Sequence, residues 1–345
     1  MYKVYAEEEL NELLSHYEDD LKEISDKEGL LDAEHLTRLA QALYILKSGE
    51  FEAIFQRIEA SALRLDAQKK LDAYHVTNIL RAFSHSQENR MCGKDKTYFA
   101  LEKTLLAGLD KLSDRDATHA MYAYGVRNVG NPELHQAFEK RLISIADNLD
   151  YPALFNAFYY LAFRESGNRA LWQRLVNATI ANPDVLPIIY YRPFKVARYY
   201  IQGRFKGKDA LENMQDFVDK HWHAERYFIA NKLEEYIEKN EAYYNFKAFL
   251  NGRCLVYPVS FMTLHNLFLM HFVFPQQKIA INFHLEKFTP RERLTQATEM
   301  QKLSAKVLKY EGWEVMDLAE GEFKTWTYHE RIANIQGWLR EAKER

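Results

Sequence analysis

Apolar residues recur every three or four positions along most of the chain, which is the spacing of the buried face of an amphipathic helix. Residues 7–24 form the first such segment. A second follows Asp32, a residue type that caps helix N-termini, with His35 near the third helical position. Its predicted inward-facing residues are Leu36, Leu39, Leu43 and Leu46. Similar segments continue to about residue 222, so the pattern predicts a mostly α-helical chain.

The helical pattern repeats. Residues 71–77 (LDAYHVT) match residues 31–37 (LDAEHLT) at five of seven positions, and related starts follow near residues 112, 149 and 185. These starts are 36 to 41 residues apart, which is typical of stacked helix pairs. Ser113 is the predicted cap of the third copy, and Pro152 suits the first helical position of the fourth. The sequence therefore predicts an α-solenoid of helix-pair repeats, in which neighbouring pairs bury one another's apolar faces.

The pattern changes after about residue 250. The apolar run 261–274 is too short to cross a membrane and contains two histidines, so it predicts a buried helix. Downstream, residues 278–283 and 313–318 predict strands, and residues 290–310 and 328–342 predict helices. The predicted organisation is an N-terminal cap at 1–30, a repeat array at 31–250, and an α/β unit with its preceding helix at 251–345.

Composition narrows the class of protein. Hydrophobic residues make up 47% of the 345 residues and charged residues 28%, so the chain can bury a large core. A net charge of −3 gives no overall attraction to nucleic acid, and RNA binding would need a local patch. The chain has two cysteines, which excludes a disulfide scaffold and favours a reducing compartment. The acidic N-terminus lacks the features of a signal peptide or presequence, so we expect no cleaved signal, or a chain that is already mature.

Three stretches of the C-terminal unit resemble the RAP domain, which ends many RNA-associated proteins of mitochondria and chloroplasts, including the Fas-activated serine/threonine kinase-like family. Ile279–Phe283 (IAINF) is similar to the family's "IAIE" strand, and residues 306–315 (KVLKYEGWEV) are similar to its K-x-x-L-x-x-x-G-(Y/W)-x-V segment. Glu322-Phe323 and Trp338-Leu339 are similar to its "E-W" and "Y-L" pairs. The resemblance covers about the last seventy residues, and helical repeats commonly precede this domain in the family.

The resemblance implies a fold akin to that of restriction endonucleases, in which a carboxylate on a central strand and an acid-x-Lys motif hold a metal ion. The strand position is Asn282 here, and the second strand has no acid-x-Lys. Metal-dependent cleavage needs clustered carboxylates. We find no phosphate-binding loop, dinucleotide fingerprint, nucleophile elbow or zinc spacing either. The expectation is therefore a protein without enzymatic activity, metal or cofactor.

Residues 190–208 are the most distinctive local feature, because cations alternate with aromatic rings and no acid interrupts them. Cations neutralise phosphates while rings stack on bases, so this mixture suits single-stranded nucleic acid. The competing interpretation puts the rings in the core and the cations on a solvated helix face or against a protein partner. The candidate RNA- or partner-binding residues are Arg192, Lys195, Arg198, Tyr199, Arg204, Lys206 and Lys208.

Two functions remain open from the sequence. The first is a non-catalytic mitochondrial protein that binds RNA, in RNA metabolism or as a mitoribosome accessory. The alternative is a structural accessory subunit of a large mitochondrial complex, such as a respiratory complex or ATP synthase, that contacts protein subunits and no RNA. The mitochondrial matrix is implied by the resemblance alone.

Overall fold

A computed structural model describes residues 32–46, 52–85, 94–183, 191–220, 240–264, 268–285 and 298–344. The chain is mostly helical, with a small four-stranded mixed sheet near its C-terminus. It divides into two compact units, residues 1–123 with 129–138, and residues 124–128 with 139–345. The predicted helix at 7–24 lies outside the described residues. The predicted domain boundary near residue 250 stays a prediction.

The helices up to residue 145 follow the predicted segments. They are α1 (Ala33–Leu46), α2 (Glu52–Ala67), α3 (Ala73–His85), α4 (Asp95–Gly108), α5 (Asp114–Arg127) and α6 (Pro132–Ile145). The repeated letters have one structural role, since Asp32 and Asp72 each accept a hydrogen bond from a backbone N–H three residues later, at 2.8 and 3.0 Å. The hydroxyl of Ser113 accepts the corresponding bond from Asp116 N–H. The predicted caps Asp32 and Ser113 are confirmed, and Asp72 has the same role.

Two buried glutamates of the first unit join helices that are not adjacent in the chain. Glu59 of α2 accepts hydrogen bonds from the Thr97 hydroxyl and from Lys94 N–H, the latter at 2.9 Å, at the start of α4. Glu102 of α4 accepts hydrogen bonds from the backbone and side chain of Asn131, at 2.8 and 2.5 Å, immediately before α6. A buried carboxylate thus stabilises the first turn of each later helix, where backbone N–H groups have no intrahelical acceptor.

The remaining helices belong to the second unit. They are α7 (Tyr151–Arg164), α8 (Arg169–Ala181), α9 (Tyr191–Arg204), α10 (Met214–Lys220), α11 (Glu241–Gly252), α12 (Glu299–Tyr310), α13 (Glu320–Thr325) and α14 (Tyr328–Glu344). Aromatic side chains fill the space between the first four. The Phe158 ring lies 5.8 to 6.0 Å from the rings of Trp172, Phe194 and Phe217. Among the described residues, no helix is both long enough and apolar enough to span a membrane.

The sheet has the order β1 (Val259–Leu264), β2 (Phe268–Phe274), β3 (Ile279–His284) and β4 (Glu314–Ala319). The first three strands are antiparallel neighbours, and β4 runs parallel to β3 after α12 crosses over. Ile279, Ile281 and Phe283 point to a core formed with α11 and α14, where the Phe283 ring stacks on Phe246 at 4.2 Å. The strands predicted around 278–283 and 313–318 are confirmed, as is the last helix.

The prediction of a buried helix at 261–274 is wrong. This run forms most of the β1–β2 pair, with Met262 opposite Met270 and Ser260 opposite Phe272. Both strands carry bulky β-formers, and alternate residues of β2 are buried from Phe268 to Phe272. The helix predicted at 290–310 begins at Glu299, where Thr298 and Gln301 form a capping box; its predicted first part lies outside the described residues.

Candidate functional site

The basic and aromatic segment forms helix α9 and the turn that follows it. Arg192 lies in the first turn of α9, and its side chain is outside the described residues. Lys195 and Arg198 are half-buried, and the Arg198 guanidinium lies 5.2 Å from the centre of the Tyr199 ring. The Tyr199 ring in turn meets the edge of Phe268 on β2 at 6.0 Å. The middle of this helix therefore packs toward the sheet.

The C-terminal end of α9 is held by its own cations. Arg204 donates hydrogen bonds to the carbonyl oxygen of Glu165 and to the Tyr200 hydroxyl, both at 3.1 Å. Lys206 donates to the carbonyl oxygen of Tyr310 at 2.7 Å, and its ammonium lies 5.7 Å from the centre of that ring. The two carbonyl acceptors, those of Glu165 and Tyr310, are at helix C-termini, where unpaired carbonyls and the helix dipole favour a cation.

Gly203 explains how closely α9 and α12 approach. A Cβ atom at this position would lie 2.1 Å from a ring carbon of Tyr310. Only glycine leaves room for the tyrosine, so the two helices are in direct backbone-to-ring contact. Of the seven candidate residues, Lys208 is exposed and has no partner among the described residues, whereas Arg204 and Lys206 are used within the chain.

A second polar group lies on the sheet, on the side opposite the α11–α14 core. The register of the parallel pair places Asn282 of β3 beside Asp317 of β4, with 3.4 Å between the Asn282 amide nitrogen and the Asp317 carboxylate. The same carboxylate oxygen of Asp317 lies 2.8 Å from Nε2 of His284, which is 7% exposed. We call Asn282, His284, Asp317 and the neighbouring His271 the sheet cluster.

The side chains of His271 and Asn282 accept hydrogen bonds from backbone N–H groups at the point where the pairing of β2 and β3 ends. Their backbone pairing ends at Phe272 and Ile281. Beyond that point Nδ1 of His271 accepts a hydrogen bond from Phe283 N–H at 3.1 Å, and the side-chain Oδ1 of Asn282 accepts one from the backbone N–H of His271 at 3.3 Å. Burial, together with His284, lowers the pKa of His271 to about 3, so the ring is neutral at physiological pH.

Asn282 was predictable from the sequence as a residue of interest, whereas His271, His284 and Asp317 were not. They are separated by up to 46 positions in sequence and meet only through strand pairing. Within the described ranges, no three His, Cys, Asp or Glu side chains are grouped as metal ligands. The sheet cluster as it stands satisfies backbone and side-chain polar groups.

Asp317 also lines a cleft of about 260 Å³ between the C-terminus of α7 and helix α12. Three lysines of α12 line this cleft, and two of them have a carboxylate partner: Lys302 is 2.7 Å from Glu299, and Lys306 is 2.5 Å from Glu165. The lining also contains three carboxylates, those of Glu165, Glu299 and Asp317, so the cleft offers an anion no net positive charge.

Helix α9, which we call the basic helix, and the sheet cluster are described from the structure of this chain alone. The chain matches no protein-family model and no curated protein.

Proposed function

We propose that this protein is a non-catalytic, RNA-associated helical-repeat protein of mitochondria, acting in RNA metabolism or as an accessory of the mitoribosome. The observation that carries the proposal is the state of Asn282. It occupies the strand position where the RAP resemblance implies a metal-holding carboxylate, and its amide bridges His271 and Asp317. A residue used in this way supports a RAP-like unit that has a binding role and no nuclease chemistry.

The helical half supports the same proposal through its repeated caps. Capping residues at positions 32, 72, 113 and 150 have matching hydrogen bonds and a spacing of 37 to 41 residues. We propose that these helix pairs stack as an α-solenoid, an architecture that presents extended binding surfaces.

Cross-linking of the native protein tests the RNA assignment directly. Ultraviolet cross-linking in organelles, followed by purification under denaturing conditions, should recover RNA covalently attached to the full chain. RNA affinity of the purified protein should also fall steeply with salt, because each phosphate contact releases counterions. Absence of cross-linked RNA, together with stoichiometric recovery of membrane-complex subunits, would refute RNA association.

A structural accessory subunit of a large mitochondrial complex is the second candidate. Two observations favour it. Arg204 and Lys206 are already bound to backbone carbonyls, which removes two cations from the expected RNA patch. In addition, the connection into β1 exposes apolar side chains, with Leu255 70% and Tyr257 74% exposed, as expected of a protein-binding surface. Replacing Leu255 and Tyr257 with serine should then abolish co-purification of those subunits and leave the fold intact.

A further inference from the structure

The first compact unit contains a groove that no pattern in the sequence predicts. It has a volume of about 680 Å³ and lies between the end of α2, the start of α3 and the end of α4. This volume is within the range of about 300–1,000 Å³ typical of ligand pockets. Its lining residues that bear on ligand chemistry are Lys69, Tyr74, Lys103, Thr104 and Lys111.

The groove owes its shape to small residues where α3 and α4 meet. A Cβ atom on Gly108 would lie 2.7 Å from the Cβ of Ala73, so glycine is needed for this close approach. Ala100 and Ala107 of α4 also line the groove, and their small side chains leave space in it. At the end of α2, Lys69 has a left-handed backbone conformation with φ of 56°, which reverses the chain and keeps Lys69 at the groove.

Three cations of the groove are available to a ligand. Lys69, Lys103 and Lys111 are all exposed, and none of their ammonium groups makes a hydrogen bond or ion pair with the described residues. The two carboxylates in the lining already have partners. Asp66 accepts a hydrogen bond from the Thr104 hydroxyl at 2.5 Å, and Asp72 caps α3. Three lysines against two carboxylates give the lining a formal charge of +1, which favours an anionic ligand.

Aromatic rings accompany these cations. Tyr74 lines the groove and is 42% exposed, although its hydroxyl lies 3.5 Å from the Gln41 amide, which limits its movement. Phe99 is 46% exposed and lies one helical turn before Lys103, on the same face of α4. Exposed rings next to cations are the combination that binds single strands, since bases stack on rings and phosphates meet cations.

We propose that this groove binds a short segment of single-stranded RNA, with Lys69, Lys103 and Lys111 on its phosphates and Tyr74 stacked on a base. The inference rests on the proposed RNA association and adds where the contact occurs. Residues 190–208 were chosen for the same combination of cations and aromatic rings, but their cations are in a different state. Arg204 and Lys206 of that segment bind backbone carbonyls, whereas the three groove lysines are available.

The test measures binding of fluorescent oligo(U) and oligo(A) to the full chain over a range of salt concentrations. The groove variant carries Lys69→Gln, Lys103→Gln and Lys111→Gln. Three lost contacts to a single strand should make the slope of log affinity against log salt shallower by about 2, and should weaken binding roughly 100-fold near 0.1 M salt. Tyr74→Ala should weaken binding about tenfold, whereas Tyr74→Phe keeps the ring and should bind like the wild type.

A charge-matched control separates the groove from overall charge. Lys140→Gln, Arg340→Gln and Lys343→Gln remove three exposed cations elsewhere and should leave the slope unchanged. Wild-type binding that the groove variant retains in full would overturn the groove and leave RNA association standing. No salt-sensitive RNA binding by the wild type would overturn both. Equal, lysine-dependent binding of polyglutamate would show a groove for acidic protein segments and overturn the RNA assignment.

Discussion

The contact between α9 and α12 can be tested with a single added methyl group. In Gly203→Ala the new Cβ would lie 2.1 Å from a ring carbon of Tyr310 and 2.5 Å from its Cβ. Ordinary contact begins at 3.4 Å, so the helices would have to separate by about 1.3 Å. The position of the Tyr310 Cβ is set by the backbone, so a change of rotamer can move the ring but cannot relieve the 2.5 Å contact.

The expected cost follows from overpacking, which typically destabilises a core by about 1–3 kcal/mol. Alanine is also a better helix former than glycine by about 1 kcal/mol, which offsets part of this cost. We expect a net decrease of up to about 2 kcal/mol in the free energy of unfolding. For a unit of about 200 residues, that decrease lowers the Tm by up to about 8 °C.

Gly337→Ala is the matched control. Gly337 lies within α14, and a Cβ atom there would have no neighbour within 4 Å. This substitution should therefore increase the free energy of unfolding by about 0.5–1 kcal/mol. Tryptophan fluorescence is a suitable probe for both variants, because all five tryptophans belong to the second unit.

Thermal unfolding of both variants tests whether Gly203 of α9 is in direct contact with Tyr310. A Gly203→Ala variant as stable as the Gly337→Ala variant would refute direct contact between α9 and Tyr310. The account of the basic helix as an internal packing element would then be wrong, and its cations would again be candidates for RNA.

Three further predictions concern buried or paired charges. Glu59→Ala should lower the free energy of unfolding by about 2–3 kcal/mol, because the Thr97 hydroxyl and a backbone N–H lose a charged acceptor; urea denaturation followed by far-ultraviolet circular dichroism measures this, and an unchanged midpoint would contradict it. His271 has a pKa of about 3 when folded against 6.5 unfolded, so the unfolded chain binds the proton first as pH falls below 6.5; stability should decline by about 2 kcal/mol between pH 7.5 and 5 on this account, and His271→Gln should flatten that decline in fluorescence-detected unfolding. Arg174→Ala removes a two-point ion pair with Asp147, whose side chain is 60% exposed, and should cost at most about 1 kcal/mol, with a smaller effect in 1 M salt; a loss that is independent of salt would point to packing instead.

The helices were predictable because their signals are local. Asp32 and Asp72 mark helix starts within a window of a few residues, and in the structure each accepts a hydrogen bond from the backbone N–H three residues later. The β1–β2 pair was not predictable in this way. A run that is apolar at almost every position carries no clear period, and the choice between helix and strand then depends on tertiary pairing.

The sheet cluster was missed for a related reason. Asp317 meets His284 and Asn282 through the parallel register of β3 and β4, and no spacing along the chain encodes that register. For the basic helix the sequence pattern was visible, but its role in the structure was not predictable from it. Its alternation of cations and rings is visible in the sequence, but the carbonyl acceptors of Arg204 and Lys206 belong to residues 39 and 104 positions away.

The two buried glutamates give the folding of the first unit a preferred order, from the N-terminal helices toward the C-terminal ones. Glu59 stabilises the start of α4, and Glu102, within α4, stabilises the start of α6. Helices α2 and α4 therefore each carry the acceptor for the helix two places further along the chain, and that acceptor is synthesised first. A destabilising change in α2 should delay the folding of α4 and, through it, of α6.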